Sequence, residues 1–265
     1  MELIAHCTFA FLAGLIDSIV GGGGLIQIPA LFIFMPGTAV ATILGTNKLV
    51  SITGTSAAVV SYVRKIKINW LTILPSTAVA FVFSFLGAKT VSFLSSNTLR
   101  PIILVLLIVV AVYTFIQKDF GSQDVPKLKK TGQKVSAIGI GAFMGFYDGF
   151  LGAGTGSFLI FLFVGILGFN FLRASAVAKI INSSTNLAAL IYFALNEHIL
   201  YHIALPMAVC NILGSILGAK LAIDKGSAFV RLLFLAVVSL IIIKFAYDML
   251  LGTSTIILLP KIIEK

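Results

Sequence analysis

No charged residue stands between Asp17 and Lys48, none between Lys67 and Lys89, and none between Asp148 and Arg173. Apolar runs of this length mark a chain that folds in a bilayer, where one helical span takes about 20 residues. The composition agrees: 59% of residues are apolar, only 11% are Asp, Glu, Lys or Arg, and mean hydropathy is +1.10. An average soluble protein carries about 25% charged residues. So little charge cannot cover so much apolar surface in water, which excludes a soluble globular domain, a disordered chain and a disulfide scaffold. The 265 residues leave room for roughly eight to ten crossings.

The formal net charge is +10. In a soluble protein that would suggest nucleic acid. Here the basic residues gather at span ends and in two short loops, so membrane topology explains them better and no nucleic-acid partner is expected. Cys7 and Cys210 both lie inside apolar runs and indicate neither a disulfide nor a metal site. The N-terminal stretch lacks a basic start and a small-residue cleavage site, so it reads as a retained membrane segment.

Offset by 131 residues, the sequence matches itself without a gap. Gly14 falls on Gly145, Asp17 on Asp148, Gly21 on Gly152, Lys48 on Lys179, Pro75 on Pro206 and Arg100 on Arg231. Bends alone would explain shared glycines and prolines, but not shared ionisable residues inside apolar segments. Each half reads as an apolar stretch running into a glycine cluster, a short apolar stretch, and then three fuller spans. The expected segments are 3–19, 25–35, 41–63, 70–88 and 99–117, then 136–151, 156–168, 172–195, 202–221 and 231–251. The fold class is therefore an all-α polytopic membrane protein of two homologous repeats, each a broken or re-entrant helix followed by three spans. Residues 1–117 form the first membrane repeat, 118–134 a polar cytoplasmic linker and 135–265 the second repeat.

Arg64, Lys65 and Lys67 follow the third segment, and Lys118, Lys127, Lys129, Lys130 and Lys134 crowd the linker. Both groups suit the cytoplasmic side. The second-half loop matching 64–69, residues 196–202, has no Lys or Arg. That asymmetry favours halves inserted upside down relative to one another over a parallel repeat of four spans each.

Two glycine clusters are the sharpest local features: Gly21, Gly22, Gly23 and Gly24 in one half, and Gly152, Gly154, Thr155 and Gly156 in the other. Consecutive glycines interrupt a helix, and in hydrocarbon the freed backbone groups need partners. The next half-helix starts with free N–H groups and partial positive charge, which suits an anion. Two such breaks at matching positions point to a transporter's central site. The alternative is close helix packing through small residues. A soluble phosphate loop is excluded, because no Gly-Lys-Ser/Thr follows.

Asp17 and Asp148 lie four residues before their clusters. A buried carboxylate is costly in a bilayer, so each is read as a proton or cation carrier, a counter-charge for a lysine, or a cap on the broken backbone. Lys48 lies about 12 Å into its span at 1.5 Å per residue, near the middle of a roughly 30 Å core. Lys179 matches it. Ser51 and Thr55 share a helical face with Lys48, and Asn182, Ser183 and Asn186 with Lys179. With Thr46 and Asn47 these residues are too polar for lipid and should line the bundle interior, bounding an anion pathway or holding structural ion pairs. Lys89, Lys220, Arg100 and Arg231 read as snorkelling span ends, and Lys244 with Asp248 as an internal pair. Pro29 is expected near the start of its half-helix, where a missing N–H costs least.

Gly14-Leu-Ile-Asp17, then Gly21 to Leu31, then Gly45-Thr46-Asn47-Lys48 resemble the TauE/SafE sulfite exporter family, also called the 4-toluene sulfonate uptake permease family. Gly145-Phe-Tyr-Asp148, Gly152 to Gly156 and Lys179 with Asn182 fit its second repeat. The resemblance implies a multi-pass permease of the bacterial inner membrane for small sulfur anions such as sulfite or sulfoacetate. The halves differ in Thr155 within the second cluster and in Ala178 where the first half has Asn47.

The resulting expectation is a secondary transporter of a small anion, not an enzyme, with no cofactor and no metal. Substrate would meet Gly22, Gly23, Gly24, Thr46, Asn47, Lys48, Ser51, Thr55, Gly154, Thr155, Gly156, Lys179, Asn182, Ser183 and Asn186, with Asp17 and Asp148 coupling. Its partners would be the solute and the lipid bilayer, with homo-oligomerisation left open. The alternatives are a cation/proton antiporter using Asp17 and Asp148, or an anion channel. An intramembrane enzyme would need a nucleophile–base set that the sequence lacks.

Overall fold

The computed structural model describes residues 2–35, 37–91, 121, 123–125 and 127–250. Its helices are α1 (Glu2–Val20), α2 (Gly23–Phe34), α3 (Val40–Val63), α4 (Trp70–Thr90), α5 (Lys130–Phe150), α6 (Thr155–Leu162), α7 (Phe171–Leu195) and α8 (Tyr201–Leu250). A π-helical turn, Phe163–Leu167, extends α6, and α8 is broken at Gly226. There is no strand among the described residues. The expected span 99–117 and Arg100 lie outside the described residues, as do the side chains of Lys244 and Asp248. Helix α5 opens at Lys130, inside the stretch read as linker.

Three segments are long and apolar enough to cross a membrane: Leu3–Val20, Trp70–Thr90 and Tyr201–Val237. Helices α3 and α7 have 24 and 25 residues, enough to cross a core of about 30 Å at 1.5 Å per residue. Their polar residues are turned inward: Lys48, Asn47, Lys179, Asn182 and Asn186 are all buried. Large apolar side chains such as Ile4, Leu71, Leu195 and Leu232 point out, as a lipid solvent allows.

Both glycine clusters interrupt helices. Helix α1 stops at Val20 and α2 starts at Gly23; α5 stops at Phe150 and α6 starts at Thr155. Each pair then folds back on itself. The rings of His6 and Phe9, near the start of α1, lie 5.3 and 5.8 Å from that of Phe34 at the end of α2. In the second half, Lys127, just before α5, donates from its backbone N–H to Leu167 O and from Nζ to Gly165 O. The glycines are thus the tips of two helical hairpins. The tips touch: Ser157 donates from its N–H to Gly21 O at 3.3 Å and from Oγ to Val20 O at 2.7 Å.

Pro29 corrects the sequence reading. It is the seventh residue of α2 rather than part of its first turn.

Helices α3 and α7 run antiparallel. Gly45 abuts His198 O, Lys48 meets Asn186, and Ser56 meets Ser183. Helix α4 runs parallel to α5, with Ser76 donating to Ala137 O and Gly145 against Ala80. Helix α1 runs parallel to α8, with Asn211 donating to Ala10 O and Gly218 against Leu15. These contacts come in couples. Gly145 against Ala80 becomes Gly14 against Asn211, and Gly87 against Phe146 becomes Gly218 against Leu15, when each residue moves 131 places in opposite senses. A Cβ at any of those glycines would overlap its neighbour's backbone, so the helix pairs meet at small residues in both halves.

Candidate functional site

The break after α1 frees carbonyl groups that hydrocarbon cannot solvate. Three hydroxyls from three elements take them: Tyr62 of α3 donates to Ser18 O at 2.8 Å, Ser175 of α7 to Ile19 O at 2.9 Å, and Ser157 of α6 to Val20 O. Gly21 and Gly152 turn the chain at φ +78° and +74°, a left-handed backbone that glycine adopts without penalty. In the second tip, Tyr147 donates its hydroxyl to Ala153 O at 2.7 Å, and Asp148 O accepts from Lys48 Nζ at 2.8 Å.

The four intramembrane charges form two crossed pairs. Lys48 Nζ lies 2.8 Å from Asp148 Oδ2, and Lys179 Nζ lies 2.7 Å from Asp17 Oδ2. Each amine therefore binds the carboxylate of the other half. Pairing is needed, because an isolated buried ion is several kcal/mol unfavourable. Lys48 uses all three ammonium hydrogens, the third going to Asn186 Oδ1 at 3.0 Å. Lys179 has Asp17 as its one bonded acceptor among the described residues. Asp17 Oδ1 also accepts from the N–H of Gly23, the first residue of α2, at 3.2 Å.

Between the tips, α3 and α7 lies a polar cavity of about 20 Å³, room for one or two waters. Of the residues expected to meet substrate, Gly24, Asn47, Lys48, Ser51, Gly156, Asn182 and Asn186 line it, together with Asp17 and Asp148. The others lie outside the lining. Lys179 stands behind Asp17 with no exposed surface. Thr46 accepts from Leu200 N–H and donates to Thr42 O. Thr55 donates to Ser51 O, and Ser183 bonds Ser56. Gly22 and Gly154 are the residues preceding α2 and α6, Gly23 holds Asp17, and Thr155 is buried. Gly21 and Gly152, absent from the expected substrate set, line the cavity; their match at the 131-residue offset was the signal for them. The three hydroxyls on the α1 carbonyls had no signal in the sequence.

No group of three or more His, Cys, Asp or Glu is placed to hold a metal among the described residues.

The model of the sulfite exporter TauE/SafE family matches residues 7–245. The chain belongs to the TauE/SafE family. It is 34% identical over 239 residues to the probable membrane transporter protein YfcA of Escherichia coli strain K12, covering 90% of this chain and 87% of that one. It is equally similar, at 34% over 238 residues, to a probable membrane transporter protein of Haemophilus influenzae, with 90% and 92% covered. A probable membrane transporter protein of a Sinorhizobium species matches at 34%, with 90% of each chain covered. No solved structure is a significant match. As a TauE/SafE protein the chain is a multi-pass membrane transporter, and the family is one of transporters rather than enzymes.

Proposed function

We propose that this transporter moves a small anion, a sulfur oxyanion or an organosulfonate, across the bacterial cytoplasmic membrane by alternating access. The observation that carries the reading is the cavity itself. Two hairpin tips, the Lys48 amine and three asparagines converge on one narrow polar space with room for no more than one or two waters, and Lys179 stands behind Asp17 at its edge. So narrow a space in a transporter suits an occluded state rather than an open channel. Asn47, Asn182 and Asn186 offer amide donors to an oxyanion, Lys48 offers charge, and the start of α2 offers N–H groups. The solute and the bilayer are the partners this reading requires.

The proposal includes two repeats, 1–117 and 135–265, of opposite orientation. Antiparallel α3 and α7 support it, since each follows a hairpin and the two hairpins open toward opposite ends of that helix pair. Arg64, Lys65 and Lys67 precede α4, while Lys127, Lys129, Lys130 and Lys134 precede or open α5. Parallel packing of α4 on α5 brings both basic groups to one end of the bundle. The positive-inside rule makes that end, with the 118–134 linker, cytoplasmic.

The test is uptake into proteoliposomes of labelled sulfite, sulfoacetate, taurine, sulfate and alkali cations, with and without a pH gradient. Saturable accumulation of a sulfur anion is expected. Cation movement in exchange for protons with no anion flux would favour the antiporter reading and defeat this one. Large unitary currents in planar bilayers would make the protein a channel.

A further inference from the structure

We infer that Asp17 is a built-in occupant of the anion seat, which a transported anion takes over only when Asp17 accepts a proton. The inference rests on the anion reading above and adds how the site is kept closed to anions at rest. Asp17 holds the two groups that an incoming oxyanion would seek: Lys179 Nζ at 2.7 Å and the first N–H of α2 at 3.2 Å. A carboxylate and the edge of a sulfonate or sulfite both present two acceptor oxygens on one atom, so either can bridge an ammonium and a helix N-terminus.

A second feature of the same cavity is an unpartnered acceptor, which suits the O–H of a neutral carboxylic acid rather than an anion's oxygen. Asn47 is 3% exposed and lines the space, yet its Oδ1 has no hydrogen-bond partner.

The matching aspartate does not serve this role. Asp148 holds Lys48, whose three hydrogens are all engaged, and its side chain is 2% exposed against 16% for Asp17. Displacing Asp148 would strip a saturated ammonium. Displacing Asp17 frees an amine with two hydrogens to spare.

The charges facing Asp17 are Lys179 from α7 and, around the same cavity, Lys48 from α3 and Asp148 from α5. The neutral groups beside it are the Gly23 N–H of α2 and the hydroxyl of Tyr62 of α3, which bonds Ser18 O one residue along. Among the described residues, α8 contributes none to the lining. In the exchange one proton adds to a carboxylate oxygen of Asp17, the neutral acid releases Lys179 and Gly23, and a monoanion takes both. One negative charge replaces another, so the site remains balanced. Protonation favours the anion-ready form, and anion affinity therefore rises as pH falls.

The test uses the full-length protein in detergent, with methanesulfonate as the probe. It carries one negative charge throughout mildly acidic to mildly alkaline pH. Wild-type affinity should fall by up to about tenfold per pH unit as pH rises, and calorimetry in buffers of different protonation enthalpy should register one proton taken up per anion. Asp17→Asn should bind at alkaline pH at least about tenfold tighter than wild type, with a flat pH profile. Lys179→Gln should weaken binding at both ends of the range. No proton uptake by wild type, or a wild-type pH slope in Asp17→Asn or its loss in Asp148→Asn instead, would overturn the inference while leaving the anion site standing. The calorimetric result decides the matter in wild type even if a variant does not fold. Failure of wild type to bind methanesulfonate, sulfate or sulfite at any pH would remove the anion reading and this inference together.

Discussion

Lys48 and Lys179 stand at equivalent points of the two halves, and each reaches an aspartate in the opposite half. Their ammonium groups nevertheless live in different surroundings. Lys48 has three acceptors, and Lys179 has one among the described residues. Two acceptors make the difference. One is Asp148 O, whose counterpart Asp17 O accepts from the Gly21 N–H instead. Asn186 supplies the third acceptor to Lys48, and its counterpart at the 131-residue offset is Thr55. The Thr55 hydroxyl is shorter and donates to Ser51 O in its own helix, so nothing equivalent reaches Lys179. Matched positions thus keep the pairing of charges while two acceptors set the pairs apart: a saturated pair that ties α3 to the second tip, and a looser pair free to open.

The largest effect should come from breaking the saturated pair. Lys48→Met leaves Asp148 buried without a counter-charge, a loss of about 3–5 kcal/mol. Equilibrium unfolding in mixed micelles measures it, and adding Asp148→Asn should return most of the loss. Lys179→Met should cost less, about 1.5–3 kcal/mol, because Asp17 is more open and keeps the Gly23 N–H. An equal or reversed ranking would abolish the distinction drawn between the pairs.

The tips offer the next comparison. Gly21 and Gly152 share a left-handed backbone, so alanine strains both alike, by about 1–2 kcal/mol. A methyl at Gly21 would run into the backbone of Gly156, whereas one at Gly152 meets the Lys48 ammonium at 2.9 Å, the movable end of a side chain. Gly21→Ala should therefore lose about 1–3 kcal/mol more than Gly152→Ala in the same unfolding experiment, since overpacking against fixed atoms is the added cost. Asn186→Thr should have the smallest effect. It removes one of the three charge-assisted bonds of Lys48, about 1.5 kcal/mol, and a double-mutant cycle with Lys48→Met would show whether that loss passes through the amine.

Much of the architecture was legible along the chain. The apolar runs, both helix breaks, the burial of Lys48, Lys179 and Asp148 and the pairing of Asp17 follow from costs paid residue by residue in hydrocarbon. The site was legible only in outline. Thr46, Thr55 and Ser183 stand on the same polar faces as Lys48 and Lys179, yet their hydroxyls bond Thr42 O, Ser51 O and Ser56. Short hydroxyls readily turn back to a nearby carbonyl, and helical spacing cannot separate that outcome from facing a cavity. The capping of α1 by Tyr62, Ser157 and Ser175 joins residues from three different helices, so no local pattern announces it.

Local chemistry sufficed to place this chain in a bilayer, to break two helices at glycine and to require partners for four deep charges. Run length, backbone conformation and desolvation act on each segment alone, wherever its neighbours lie. The choice of partners belonged to packing. Lys48 lies 100 residues from Asp148 and Lys179 lies 162 residues from Asp17 along the chain. Coulomb attraction depends on separation in space, and only the crossing of the two halves at their hairpin tips brings those groups within reach.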